Sequence, residues 1–249
     1  MIKLCEIYEL NELGINYLDD TSFIDYEKDE VDDLIRFTDK LSFRKDMYGN
    51  VVMVGIPVNH FDNRSKLINA LKSNEGLVKE KIYLGELIYK NLKEHINIDD
   101  YDFIISPKSS SNLIKAFMFY LKVNHNTHPK YINDMFIKND IENIKLDIEQ
   151  AIADGKNSKF IKGLVKRFDM SKNLNNQSMK LQPLNNYERK YIKNMLVVNP
   201  EYNSIISEMI GKKVLVIDDI LTSGKTINDM TNILKSLGVE DITLFCMFG

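Results

Sequence analysis

Apolar positions along the chain recur at two spacings, and their alternation predicts strands and helices in turn. Near the start, KDEVDDLIRFTDKL fits a short helix with Val31, Leu34, Ile35 and Leu41 near one face. Phe43–Met47 and Val51–Pro57 flank the turn-like Tyr48-Gly49-Asn50, which predicts a hairpin. Glu75–Lys93 has the spacing of an amphipathic helix, with Leu77, Ile82, Leu84, Leu87, Ile88 and Leu92 inward. Asp102–Ser106 (DFIIS) is a short apolar strand, followed by a polar loop and a helix over 112–122. A second strand covers Lys130–Ile137, and Ile141–Lys166 is predicted mostly helical with a break at Asp154-Gly155. Ser171–Glu188 lacks periodicity and is rich in Asn, Gln and Ser, as a mobile loop would be. Asn194–Val198 and Lys213–Asp218 are strands, Thr226–Leu237 is a helix stopped by Gly238, and Asp241–Phe248 is a last strand.

Short apolar strands separated by helices predict an α/β fold, a parallel twisted sheet flanked by helices on both faces. The segment 139–193 is too long for a plain connection and reads as a helical and flexible insertion. On this basis residues 1–75 form an N-terminal hood-like or accessory region, and 76–249 form the core that carries the insertion.

Composition narrows the class. The chain has 249 residues, 44% of them hydrophobic and 28% charged, as in ordinary globular proteins. It has no apolar run long enough to span a bilayer, and MIKLCEIYELNELG, with acids inside its apolar stretch, does not read as a secretory signal. Only Cys5 and Cys246 are present, the latter within the apolar run ITLFCMF, which favours a reduced buried thiol. The expected location is therefore the cytoplasm, without a membrane partner. The net charge of −3 is unevenly spread. Residues 1–50 hold 13 Asp/Glu against 6 Lys/Arg, whereas 156–193 hold 10 Lys/Arg against 2 Asp/Glu. The basic run is a solvated face, a phosphate-gathering loop or a nucleic-acid patch.

The chemistry concentrates in Val214–Thr226, VLVIDDILTSGKT. A buried apolar strand ends in two carboxylates, at the end of an open α/β sheet where ligands bind. The small-residue loop and the helix behind it form an anion cup suited to a terminal phosphate, offering backbone amides and a helix N-terminus. Thr222, Ser223, Gly224, Lys225 and Thr226 make up that cup, with hydroxyls as further donors. Asp218 and Asp219 would repel a phosphate. They suit a sugar diol beside it, or help to hold a divalent cation indirectly, through ribose or water. A P-loop needs a glycine five positions before Gly224, where Asp219 stands, so a nucleoside-triphosphatase is excluded. The four histidines show no metal-ligand pattern.

Two acidic residues after an apolar strand and before a TSGxT-like loop resemble the signature of the type I phosphoribosyltransferases. The resemblance implies a 5-phosphoribosyl 1-pyrophosphate (PRPP) donor, Mg²⁺ as cofactor, and a nitrogenous, base-like small molecule as acceptor. It also implies a pyrophosphate loop after the first core strand, here Ser106, Pro107, Lys108, Ser109 and Ser110. Such loops often carry a non-proline cis peptide, here near Pro107–Ser109. The order of Gln182, an apolar residue and Arg189 ahead of the strand NMLVV resembles the ComF-like, competence-associated members. That places the flexible catalytic loop near 171–193. Asp218, Asp219, Arg189 and Lys108 are then the candidate catalytic residues. An acceptor hood would come from residues 1–75, whose aromatics Phe37, Phe43, Tyr48 and Phe61 are candidates for stacking on a base. The alternative is a non-catalytic protein that senses PRPP or binds nucleic acid through 156–193. A homodimer is compatible with either reading.

Overall fold

Every strand that meets the candidate site belongs to one sheet, seen in a computed structural model that describes residues 41–56, 78–109, 113–125, 129–173, 183–185 and 187–249. The predicted helix at 28–41 lies outside these residues, apart from Leu41, as do Phe37, Phe61 and Gln182.

The predicted hairpin is present: β1 (Ser42–Lys45) and β2 (Val51–Ile56) pair antiparallel around Asp46–Asn50. The turn holds itself together. Asp46 Oδ1 accepts from the Tyr48 and Asn50 amides at 2.8 and 2.9 Å, and Gly49 takes a positive φ of 88°. After helix α1 (Val78–Lys93) come β3 (Phe103–Pro107), helix α2 (Leu113–Asn124) and β4 (Lys130–Lys138). The C-terminal part supplies β7 (Leu196–Val198), helix α5 (Asn203–Met209), β8 (Val214–Ile220), helix α6 (Lys225–Ser236) and β9 (Ile242–Phe248). Labels β5, β6, α3 and α4 belong to elements between Lys145 and Lys193, given below.

The seven strands run in the order β1-β2-β9-β8-β3-β4-β7. The predicted parallel sheet is its inner five strands, and both edge strands run antiparallel, so the whole sheet is mixed. A short hairpin turn can only reverse direction, which explains the edge at β1. The hairpin expected near the hood is thereby part of the main sheet, since Met53 and Val54 of β2 pair with Phe245 and Cys246 of β9.

Helices cover both faces, as the alternation predicts. On one side Ile88 and Leu92 of α1 and Ile114, Phe117, Met118 and Leu121 of α2 pack against Leu215, Ile217 and Phe245. On the other, Ile227, Met230 and Leu234 of α6 and Met209 of α5 pack against Val214, Val216, Phe103 and Phe136. The stripe Ile227-Met230-Leu234 follows the helical repeat. Burying each such side chain contributes about 1.5–3 kcal/mol. Helix α6 ends where Gly238, at φ 85°, turns the chain; Val239 N–H returns to Leu234 O and Gly238 N–H to Lys235 O. Helix α5 lies in a stretch whose pattern predicted no element.

The segment expected to be an insertion is more broken than one long helix. A 3₁₀ turn at Ile141–Asn143 and a short strand, β5 (Lys145–Leu146), precede helix α3 (Ile148–Ala153). The break at Asp154-Gly155 is present, with Gly155 at φ 72°, and helix α4 (Ser158–Asn173) follows. Strand β5 pairs with β6 (Ile192–Lys193) in a separate two-stranded sheet. These elements enclose a third core of Ile144, Ala151, Leu164, Phe168, Leu184, Tyr191, Ile192 and Met195. No described helix is long and apolar enough to cross a membrane.

Candidate functional site

Strand β8 lies between β9 and β3 and is buried along its whole length. The two-residue period of a strand sends Asp218 and Asp219 to opposite faces, and both are buried, at 6% and 7% exposure. Asp219 N–H donates to Asp218 Oδ1 at 2.9 Å, so the first carboxylate is oriented by the chain that follows it. Opposite Asp218 in β9 stands Cys246. Burial, then the charges of Asp218, Asp219 and Asp46, push its thiol up well above its ordinary value. The residue is an inert buried thiol among the described residues, as its apolar context suggests.

The loop after β8 leads into α6 through Gly224, the N-cap, at φ 77°. Glycine is required here twice over. The φ is left-handed, and an added Cβ would stand 2.4 Å from Asp46 Cβ in the β1–β2 turn. Gly224 has no side chain with which to cap the first helical turn, and Lys225 N–H donates to Ser223 Oγ at 3.4 Å. Thr222 is exposed, Ser223 buried and Thr226 half-buried. The loop thus brings a glycine turn and three hydroxyl side chains to the N-terminus of α6.

Lys225 departs from the simplest expectation for this cup. Its ammonium is 6% exposed and donates to Asp229 Oδ1, one helical turn on. Burial lowers Lys225 and raises Asp229 from their ordinary values, and the mutual attraction of the pair opposes both shifts. Its side chain is therefore engaged on the flank of α6. Neither Asp229 nor Asp46 is singled out by the motif. The i,i+4 spacing from Lys225 was the signal for Asp229, whereas nothing local in the sequence points to Asp46.

The loop after β3 lies beside this site because β3 and β8 are neighbouring parallel strands, with Ile105 opposite Val216. Ser106 is buried and its hydroxyl donates to Asn133 Oδ1 at 3.4 Å. Pro107 ends the strand. Lys108 is exposed, and its N–H donates to Phe136 O at 2.7 Å. Ser109 Oγ donates to Asp219 Oδ2 at 3.5 Å, joining the two predicted loops directly. Ser110 lies outside the described residues. Every peptide bond among the described residues is trans, those of Pro107–Ser109 included.

Part of the segment expected to be mobile lies within the described residues. Residues 174–182 and 186 lie outside the described residues, but Glu188–Tyr191 forms a 3₁₀ turn. Glu188 is 1% exposed and bonded by the Arg167 guanidinium of α4. It also accepts from Asn185 N–H at 3.1 Å. Arg189 Nε donates to Leu184 O at 3.1 Å, and burial lowers its guanidinium from the ordinary value. Lys190 Nζ and Tyr191 Oη both bond Asp154 Oδ2, at 2.5 and 3.0 Å. The turn carrying Arg189 is thus anchored to the insertion. Of the candidate stacking aromatics, Phe43 is 59% exposed and edge-on to His95, while Tyr48 is half-buried beside α6.

No group of three or more His, Cys, Asp or Glu side chains among the described residues is arranged to hold a metal ion. Asp218 and Asp219 offer two carboxylates. A hard cation there would take the rest of its oxygen shell from a bound substrate and water, as Mg²⁺ characteristically does.

Two loops brought together at the C-terminal ends of adjacent parallel strands invite comparison with known families. No curated protein matches the chain. Residues 165–249 match the family model described as the phosphoribosyl transferase domain, a span that runs from α4 through β9 and includes Asp218, Asp219 and the whole of Thr222–Thr226. With its seven-stranded mixed sheet flanked by helices, the chain has an α/β fold consistent with the type I phosphoribosyltransferases, and residues 165–249 carry the phosphoribosyl transferase signature.

Proposed function

We propose that the chain is a Mg²⁺-dependent phosphoribosyltransferase, taking PRPP as donor and a nitrogenous, base-like molecule as acceptor, with release of pyrophosphate. The observation that carries this reading is the Ser109–Asp219 contact. It sets the loop after β3 directly against the diacid motif, as a single sugar reaching from one to the other requires.

The backbone amides and hydroxyls of Thr222–Thr226 hold the 5-phosphate, with Lys225 contributing its amide. Asp218 and Asp219 accept the ribose hydroxyls, which fixes the anomeric carbon against Ser109 and Lys108. As the carbon–oxygen bond to pyrophosphate breaks, electrons leave with the pyrophosphate and positive charge develops on the sugar. The two carboxylates offset that charge, while Lys108 and the amides after Pro107 stabilise the departing anion. Mg²⁺, when bound, neutralises further charge on the pyrophosphate. Arg189 is the further cation of this reading, carried by the 3₁₀ turn Glu188–Tyr191. The acceptor nitrogen then bonds to the anomeric carbon and its proton passes to solvent.

Two measurements test the proposal. Pyrophosphate release is assayed with PRPP, Mg²⁺ and a panel of nucleobases; no turnover with any base, despite donor binding, rejects the transfer step. Asp218→Asn with Asp219→Asn is expected to weaken PRPP binding by roughly 100-fold or more in calorimetry, since each charged hydrogen bond contributes about 1.5–3 kcal/mol. Unchanged affinity rejects the site.

A second reading has its own observation. Lys159, Lys162 and Lys166 are exposed along one side of α4, inside the basic run. A protein that keeps the phosphoribosyl site without catalysis would use this face on nucleic acid. Binding that falls steeply with salt supports it, and no measurable binding at about 50 mM salt rejects it.

A further inference from the structure

On the flank of α6, next to the loop at Thr222–Thr226, lies a cleft of about 660 Å³. Three parts of the chain meet there: the β1–β2 turn, the exposed side of α6, and the residues around β6 from the insertion. Its floor is the Lys225–Asp229 pair.

Two residues that line the cleft carry buried polar atoms without a partner among the described residues. Asp229 Oδ1 accepts from Lys225, but Oδ2 has no donor. Tyr48 Oη, from the turn, also has none. Both atoms are close enough for the Asp229 charge to raise the Tyr48 hydroxyl, after the larger effect of burial. A buried polar atom left unpaired costs about 1–3 kcal/mol, so two such atoms on residues that line one cleft mark where the polar edge of a ligand belongs. Asn232, further along α6, adds an exposed carboxamide. At the other side stand Lys190 and Lys193, each bound to a carboxylate of the insertion at 2.5 Å. Both keep exposed surface, at 30% and 60%, and so remain open to an anion.

A donor edge is therefore wanted at one end and an anion at the other. The volume exceeds what a free phosphate or an amino acid fills, and lies within the roughly 300–1,000 Å³ of small-molecule sites. We propose that this cleft is a second binding site, separate from the phosphoribosyl site, for a nucleoside monophosphate. The N–H edge of the base lies on Asp229 and Tyr48, and the phosphate lies on Lys190 and Lys193. Because Lys225 belongs both to this floor and to the loop at Thr222–Thr226, occupancy of the cleft reaches the loop through one residue. The site needs no transfer reaction and stands whether or not the chain is a transferase.

The test is calorimetric titration of the full chain with AMP, GMP, CMP and UMP, with ribose 5-phosphate present in excess to fill the loop site. One-to-one binding of at least one nucleotide is expected. It should weaken about tenfold or more in Lys193→Glu and in Asn232→Leu, both at exposed positions where folding is retained and is checked by thermal melting. Asp229→Asn is the buried counterpart and should also weaken binding. Absence of binding at millimolar nucleotide overturns the proposal and leaves the two atoms to water. Binding indifferent to both surface variants, or inorganic phosphate competing as well as the nucleotide, overturns it equally.

Discussion

Gly224 is the residue on which the candidate site turns. Its left-handed φ of 77° and the Asp46 side chain against it make Gly224→Ala doubly unfavourable. A cost of about 1–3 kcal/mol is expected from the backbone strain, with more from the contact, measured by urea denaturation. Combining Gly224→Ala with Asp46→Gly should recover the contact's share and leave the strain, so the two effects separate in a double-mutant cycle. Asp154 gives a second prediction. Its bonds to Lys190, Gln150 and Tyr191 lower its carboxyl from the ordinary 3.8 to about 2. A carboxyl held low in the folded state stabilises it above the unfolded value, and that contribution is lost as the pH falls from about 4 towards 2. Asp154→Asn should therefore flatten the acid side of a stability-versus-pH curve and leave the neutral side parallel to the parent. At this scale the sequence shows Asp218, Asp219 and the loop from Thr222 plainly, because strand, diacid and cup are contiguous. Asp46 was hidden because its contact with Gly224 depends on how a distant hairpin folds.

Among the elements, one ion pair ties α4 to the turn that carries Arg189, beside the third apolar core. Glu188 is almost fully buried and Arg167 is its cation, so α4 and the turn carrying Arg189 are joined there. Arg167→Leu strands a buried carboxylate. Breaking fully buried pairs costs about 3–5 kcal/mol, and the partial exposure of Arg167 reduces that, so about 2 kcal/mol is expected. Hydrogen exchange should rise at residues 187–193 before it rises in β8. Equal protection in parent and variant would show that the third core alone holds the turn. Periodicity revealed the elements of the main sheet because each buries one face. It failed over 141–147 and 203–209, where a 3₁₀ turn, a two-residue strand and a seven-residue helix are too short to display a period. The polar composition of 171–188 suggested a loop throughout, yet Glu188 is polar and buried, and its partner lies on another element.

For the whole molecule, strand order does what no local pattern discloses. The α/β class follows from alternation, but the placing of β9 between β2 and β8 does not. That order brings the hairpin turn onto the start of α6 and puts the β3 and β8 loops side by side. Strand β9 joins partners from the two ends of the described chain, pairing Phe245 with both Met53 and Ile217. Until β9 docks, the hairpin has no place in the sheet, and closing so long a loop is slow. Phe245→Ala, in a side chain fully buried between the two halves, is expected to cost about 3–5 kcal/mol. Its fractional effect on the folding rate, from stopped-flow kinetics, would report how early β9 docks. The turn that presses on Gly224 arrives only through β2, so the phosphate loop cannot reach its final shape before the sheet is complete. A chain still folding would offer a loose cup, and ligand affinity would then appear late in refolding, together with the last native fluorescence change.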